Sequence, residues 1–227
     1  MMIRKLSEQH TPWLGMAAAG LIAAGALVAA LGFRHEGGEP YSFLRQNISD
    51  LGDPQVSAWA FVFNYSLVAG SIIMALFIAG VSIVASTRST YVIAGIGIIA
   101  TIAMAFVGVY PSSPPTAFEH KVSAGIAFLG TLGLGASFTL RMLLRPHPVL
   151  PRWLILPGIL SAASAFGFLF TLAGSWRGYI PASMLHWRGG TLPEIHLVSL
   201  LEWCVLFSIL AWSFLTALSL RRVQKVD

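Results

Sequence analysis

The sequence predicts an all-α integral membrane protein, a bundle of six transmembrane helices with both termini in the cytoplasm. Two observations predict the class. Of the 227 residues, 56% are hydrophobic and 10% are charged, with a mean hydropathy of +0.76, which lies far from soluble usage. A bilayer core requires about 20 apolar residues per helix, and the chain contains six such stretches. They use most of its length, so we expect one membrane domain over residues 1–227.

Each apolar stretch is expected to be a helix, because open strands leave their backbone groups without hydrogen bonds in lipid. The predicted spans lie near residues 13–33, 58–86, 91–110, 121–143, 153–174 and 195–219. The first is longer than the apolar core of a signal peptide, which has about 7–15 residues. We therefore interpret it as an uncleaved helix. A cleaved signal peptide, whose charged end Arg4 and Lys5 would supply, is the alternative.

The basic residues supply the orientation. Nine Lys and Arg residues lie on the side that carries the N-terminus and five on the other, and basic residues concentrate on the cytoplasmic side of membrane proteins. The net charge of +5 is thus interpreted as topology, and the expected partner is the lipid bilayer and not nucleic acid. The single cysteine, Cys204, excludes an intrachain disulfide.

Acidic residues and histidines gather on the opposite, outer side. The outer acids are Glu36, Glu39, Asp50, Asp53, Glu119 and Glu194. The outer histidines are His35, His120, His186 and His196. One further acid, Glu202, lies within the last span, where a carboxylate facing lipid is strongly disfavoured. This one-sided distribution predicts an outer-facing polar site made of histidines and carboxylates.

Asp50, Asp53 and Asn64 each have two interpretations. Asp50 and Asp53 could share one cation or amine, or they could shape a turn. Asp53 precedes Pro54, a pairing typical of a helix start, so Asp53 is expected to cap the second span. Asn64 lies inside that span, and its amide either bonds to a neighbouring helix or lines the site.

Two Thr-x-x-Glu patterns, at Thr116–Glu119 and Thr191–Glu194, predict capping boxes at the starts of the fourth and sixth spans. The alternative is that these acids belong to the outer site. Small residues recur every four positions in the fourth span and predict close helix packing that turns His120 inward. They are Ser123, Ala127, Thr131 and Gly135.

His186 and Arg188 flank Trp187 in the last outer loop. This trio could grip a phosphate head group, although anchoring of the tryptophan at the membrane interface is the simpler interpretation. The sequence has no phosphate loop, zinc-protease helix, paired-cysteine site or nucleophile elbow. These absences exclude the common local signatures of enzymes.

Two blocks of sequence carry a family resemblance. Ile48-Ser49-Asp50-Leu51-Gly52 with Pro54 and Asn64 resembles the prokaryotic six-span family filed as domain of unknown function 998. Gly108-Val109-Tyr110-Pro111 with Glu119-His120 is similar to that family's second block. More distantly, the first block resembles the Frag/DRAM/Sfk group, some of whose members are tied to lipid-anchor remodelling or membrane stress. The resemblance implies six spans, an outer site and a prokaryotic plasma membrane, and no established reaction.

The leading hypothesis is an outer site that binds a lipid or its head group, or that hydrolyses it with a metal-activated water. Zinc suits histidine and carboxylate ligands and lowers the pKa of its bound water to about 7. The predicted catalytic residues are Asp50, His120 and Glu202, and the predicted metal ligands are His120, His196 and Asp50. The predicted substrate-binding residues are Asn64, Glu119, His186 and Arg188.

Three other functions stay open at this point. His120 and His196 could be axial ligands of a haem in an electron-transfer protein. Glu202 could be the centre of a transporter or proton relay. The chain could also be a non-catalytic membrane scaffold.

Overall fold

The computed structural model confirms the predicted all-α bundle. It describes residues 2–34, 38–147, 149–176 and 195–223. The six helices in this part of the chain are α1 (Met2–Gly32), α2 (Ala60–Ala85), α3 (Arg88–Val109), α4 (Ala117–Leu144), α5 (Ile155–Trp176) and α6 (Leu197–Val223). Each contains a stretch long and apolar enough to cross a membrane, so the chain is an integral membrane protein.

The helices are longer than the predicted spans at several ends. The largest difference is at α1, which begins at Met2 and runs through Pro12, whereas its apolar part begins at Gln9. Hydropathy marks only the part of a helix that suits lipid. Backbone hydrogen bonding continues into the polar residues beyond it, so a hydropathy pattern underestimates the helix.

A two-residue turn joins α2 to α3 and makes them antiparallel. Ser86 ends α2 in the left-handed conformation, with φ 50°. Thr87 then caps α3: its Oγ1 accepts from the Thr90 N–H at 3.3 Å, and its own N–H donates to Thr90 Oγ1 at 3.1 Å. The exchange satisfies two backbone donors without water.

Each helix packs against the next one in sequence, and α1 closes the ring against α6. At this closing seam the Arg221 guanidinium lies 4.3 Å from the centre of the Trp13 ring. Inside the ring, Trp212 of α6 meets Phe77 and Phe138 edge to face, with ring centres 6.1 and 5.3 Å apart. Aromatic pairs prefer this geometry.

The small-residue stripe of α4 packs as predicted. Ser123, Ala127, Thr131 and Gly135 are all buried. A Cβ added at Gly135 would lie 2.7 Å from the Gly158 carbonyl oxygen of α5, so the two backbones approach too closely for any larger residue. His120, one turn before Ser123, is also buried, which confirms its inward position.

The helix ends form two rims of opposite character. The basic rim contains Arg88, Arg141, Arg145, Arg152 and Arg221. The acidic rim contains Glu39, Asp50, Asp53 and Glu119, together with the cations Arg34, Arg45 and Lys121, and Arg45 pairs with Glu39 at 3.4 Å. At the acidic rim the connection between α1 and α2 includes a short 3-10 turn, Ile48–Gly52, which packs against α1, α2 and α6.

Candidate functional site

Polar side chains at the acidic rim form two clusters, which meet where the Asp53 N–H donates to the Asp50 carbonyl at 3.2 Å. The loop cluster joins the α1–α2 connection to α6 and consists of Tyr41, Asn47, Asp50, His196, Ser199, Glu202 and Trp203. The turn cluster lies at the α3–α4 connection and consists of Asp53, Tyr110, Ser112 and His120.

Glu202 anchors the loop cluster. Its Oε2 accepts a hydrogen bond from the Ile48 N–H at 2.9 Å, and its side chain lies in the first turns of α6, where the residue is only 9% exposed. A carboxylate buried in a spanning helix is costly unless it has partners. The 3-10 turn supplies one partner from its first residue, which draws the loop onto α6.

Ser199 lies one turn before Glu202 and connects three segments. Its hydroxyl donates to Asn47 Oδ1 at 2.8 Å, with the Arg45 carbonyl at 3.3 Å. A hydroxyl has one hydrogen, so His196 Nδ1, 2.8 Å away, donates to Ser199. The His196 backbone N–H donates to the Leu44 carbonyl at 2.7 Å. The start of α6 is thus fixed to the loop by side chain and backbone together.

Tyr41 brings the two carboxylates of the cluster into one environment. Its hydroxyl donates to the Asn47 carbonyl at 2.9 Å and accepts from Trp203 Nε1 at 3.0 Å. Burial raises the pKa of Tyr41, and the charges of Asp50 and Glu202 raise that pKa further. The phenol therefore stays protonated as a donor.

The far end of the 3-10 turn is fixed to α2. Asn64 Nδ2 donates to the Gly52 carbonyl at 2.9 Å, so the amide holds the turn. A Cβ added at Gly52 would lie 2.3 Å from Asn64 Oδ1, which explains the glycine. Inside the turn, Asp50 Oδ2 accepts from the Asn47 N–H at 2.9 Å.

The turn cluster closes the α3–α4 connection. His120 Nδ1 lies 2.7 Å from the Tyr110 carbonyl, which can only accept, so this nitrogen carries the proton. Tyr110 directly follows α3, whose last carbonyls lack helical partners, and His120 therefore caps that helix. Nearby, Ser112 Oγ donates to Asp53 Oδ2 at 3.5 Å.

Two predicted helix caps are wrong. Thr116 makes no capping bond to α4, because its hydroxyl donates to the Pro111 carbonyl at 2.9 Å and serves the preceding turn. Asp53 does not cap the second span, because α2 begins only at Ala60. Asp53 Oδ1 instead accepts from the Gln55 N–H at 2.9 Å, which makes a local turn at Pro54. The Thr191–Glu194 pattern lies outside the described residues.

The predicted site residues separate between the two clusters. Asp50, His196 and Glu202 belong to the loop cluster and Asn64 borders it, whereas His120 belongs to the turn cluster. Glu119 is exposed. Predicted residues His186 and Arg188 lie outside the part of the chain that the structure describes. Among the described residues, no group of three or more His, Cys, Asp or Glu side chains could hold a metal ion.

Sequence reasoning missed Tyr41 and Trp203 as members of the site. Both look like ordinary interfacial aromatics, and neither stands in a recognisable motif. Their polar atoms bond to each other across 162 residues of sequence. Buried tyrosine hydroxyls and indole N–H groups need hydrogen-bond partners. Trp203 directly follows Glu202 in the sequence, so this need was a signal that could have been used.

Comparison with known proteins adds a family but no activity. No curated protein and no solved structure matches the chain. A family model described as "Protein of unknown function (DUF998)" matches residues 16–219. This match covers nearly all of the six helices and both blocks that carry the sequence resemblance, so the chain belongs to the DUF998 family of membrane proteins of unknown function.

Proposed function

We propose that the acidic rim faces away from the cytoplasm and that the loop cluster binds the cationic head group of a membrane lipid. The ligand class is a lipid with a primary ammonium group, such as phosphatidylethanolamine. The observation that carries the proposal is the burial of Glu202 against the 3-10 turn that contains Asp50, where the Glu202 carboxylate accepts from the Ile48 N–H at 2.9 Å. In this proposal the chain is a single membrane domain that carries the site.

The charges of the cluster favour a cation. Glu202 and Asp50 are the two carboxyl groups of the loop cluster, and like charges repel each other in a medium of low dielectric constant. A positive group bound beside Glu202 would favour its charged form, and an ammonium group has three hydrogens to share with carboxylate oxygens. Among the described residues, Glu202 receives a hydrogen bond only from Ile48, so it has further capacity to accept.

Aromatic rings around the carboxylates add to the attraction. The Tyr41 ring lies 5.0 Å from that of Phe33 and 6.0 Å from that of Trp203, and Phe43 lies 6.5 Å from Trp203. Ring faces attract cations. Phe43 is 57% exposed, which supports a site that opens toward the bilayer and favours a lipid over a dissolved amine.

Binding fits these contacts better than metal-assisted hydrolysis does. A catalytic zinc site needs three protein ligands, and the described residues offer no such group. His120 caps α3 through Tyr110, while His196 bonds to Ser199, so each histidine has a structural partner in its own cluster. No contact among the described residues favours a haem between them. In this proposal His120 and Asn64 do not contact the ligand: His120 caps α3, and Asn64 holds the 3-10 turn.

Native mass spectrometry of the delipidated protein tests the proposal, with phosphatidylethanolamine, phosphatidylcholine and phosphatidylglycerol added separately. We expect the ethanolamine lipid to bind best and the Glu202→Gln variant to bind it about tenfold more weakly, equivalent to about 1.4 kcal/mol. Glutamine keeps an acceptor for the Ile48 N–H, so this variant removes charge and leaves the loop in place.

The exposed carboxylate Glu119 provides the matched control, because Glu119→Gln removes the same charge outside the loop cluster. We expect its binding to equal that of the wild type. Equal binding of all three lipids by the wild type, or unchanged ethanolamine-lipid binding by Glu202→Gln, would overturn the proposal. A Glu202→Gln protein with wild-type thermal unfolding but weaker binding would support it.

A further inference from the structure

We infer a second binding site, independent of the acidic rim: a site in the middle of the bundle that holds ordered water between α2, α3 and α4. A cavity of about 40 Å³, the central cavity, lies there among side chains of α1, α2, α3, α4 and α6. Three side chains in its wall carry hydroxyl groups, namely Ser71 of α2, Thr101 of α3 and Thr131 of α4. Water that bonds to these hydroxyls would join the three helices that carry them.

The three hydroxyls lie at the same depth in the bundle. Ser71 precedes the end of α2 by 14 residues, and Thr101 follows the start of α3 by 13. Thr131 precedes the end of α4 by 13 residues. All three of these helix ends lie at the basic rim, and a helix rises about 1.5 Å per residue, so each hydroxyl lies about 20 Å along its helix from that rim. One small cavity can therefore serve all three.

Ser71 supplies a polar group that needs a partner. It is 2% exposed, and its Oγ has no hydrogen-bond partner among the described residues. Two other serines of α2 bond to their own helix. Ser66 donates to the Val62 carbonyl at 2.6 Å, and Ser82 donates to the Ala79 carbonyl at 2.7 Å. A buried hydroxyl that lacks a hydrogen bond destabilises the folded chain, and a water molecule in the adjoining cavity would remove that cost.

The central cavity suits water in its size and in its polar groups. A buried water molecule needs a cavity of at least about 10–15 Å³ and two to four polar partners. Thr101 Oγ1 donates to the Ile98 carbonyl at 3.0 Å and keeps its capacity to accept, while the hydroxyls of Ser71 and Thr131 can each donate or accept. The other side chains in the wall are aliphatic or methionine, so the three hydroxyls are the side-chain groups that hold the water.

Water fits the central cavity better than a metal ion does. A metal ion also binds to hydroxyl oxygens, but a buried charge is costly unless a charge of opposite sign compensates it. None of the side chains in the wall is charged. A neutral ligand that both donates and accepts hydrogen bonds is therefore favoured, and water is the one that a cavity of about 40 Å³ holds without displacing a helix.

The sign of a stability change tests the water site. If Ser71 Oγ bonds to water, Ser71→Ala should lower the thermal unfolding midpoint in detergent by about 2–4 °C. If that hydroxyl has no partner, the same variant removes an unsatisfied group and the midpoint should stay or rise. Ser161→Ala is the matched control: Ser161 is equally buried, its Oγ has no partner among the described residues, and it does not line the central cavity, so its midpoint should not fall. A Ser71→Ala midpoint at or above that of the wild type, or an equal fall in both variants, would overturn the inference.

X-ray footprinting detects the water itself, because hydroxyl radicals formed from bound water oxidise methionines beside it. Met74 lines the central cavity and is only 3% exposed. We expect Met74 to be oxidised in the wild type and several-fold less in Ser71→Val, which replaces the hydroxyl with a methyl group. Met142, equally buried and outside the wall of this cavity, should be oxidised equally in both proteins. Equal oxidation of Met74 in both proteins would contradict bound water. An unfolding midpoint that rises with sodium chloride but not with choline chloride would assign the cavity to sodium and overturn the inference.

Discussion

The loop cluster and the turn cluster lie at the same rim and use similar residues, yet they are built in opposite ways. In the loop cluster, Glu202 and Ile48 bond across 154 residues of sequence, and Ser199 and Asn47 across 152. In the turn cluster, His120 and Tyr110 are 10 residues apart. The first cluster is tertiary structure, whereas most of the second is local closure of a turn.

The difference indicates which cluster has polar groups that could bind a ligand. In the turn cluster the polar groups have short-range structural work: His120 caps α3, and Asp53 makes its own turn. In the loop cluster the contacts fix the loop to α6, and they also hold two carboxylates near one phenol. Glu202 is buried and has capacity to accept beyond its bond to Ile48, which is why we propose the ligand for this cluster.

The largest expected effect comes from Gly52→Val, which disrupts the contact between the 3-10 turn and α2. A Cβ at this position meets Asn64 Oδ1 at 2.3 Å and Phe63 Cδ1 at 3.1 Å. Overpacking together with loss of the Asn64 bond should lower the free energy of unfolding by about 3 kcal/mol, seen as a lower midpoint in detergent. Gly125→Val, which has open space around it, should leave the midpoint near that of the wild type. Equal midpoints for the two variants would show that the turn is not held by Asn64.

Ser199→Ala should have the next largest effect. It removes the hydroxyl that joins His196 to Asn47 and leaves buried polar groups without a partner, at a cost of about 1–3 kcal/mol. Hydrogen exchange should accelerate in the loop before α2, measured by mass spectrometry. Ser208→Ala is the matched control, because this buried serine bonds only to Val205 of its own helix. Faster exchange in both variants would mean that α6, and not the loop, has loosened.

The same contrast explains how much the sequence could predict. The six helices followed from apolar length alone, and the inward position of His120 followed from the stripe at Ser123, because helical periodicity is a local property. The caps at Asp53 and Thr116 failed because capping patterns compete with turn carbonyls such as that of Pro111. Loop geometry decides whether the side chain bonds to the helix or to a turn carbonyl, and a capping pattern in the sequence carries no information about loop geometry.

The candidate site was predicted only in part, because local properties are visible in the sequence and tertiary contacts are not. Burial of an acid in an apolar span is visible in sequence, so Glu202 could be singled out. Its partner is a backbone N–H, that of Ile48, and a backbone group leaves no trace in residue identity. Asp50 and His120 both looked like members of one site, and only the tertiary structure shows that they belong to different clusters.

The smallest effect is expected from His120→Ala, which tests whether the two clusters are independent. The variant removes the cap on the Tyr110 carbonyl and should lower the free energy of unfolding by about 1 kcal/mol, with faster exchange confined to the end of α3 and the start of α4. An exposed histidine, His10, supplies the control variant His10→Ala. Effects of distant sites add to within about 0.5 kcal/mol, so the double variant with Ser199→Ala should lose the sum of both. A departure of more than about 1 kcal/mol from additivity would merge the two clusters into one site and return His120 to the ligand-binding residues.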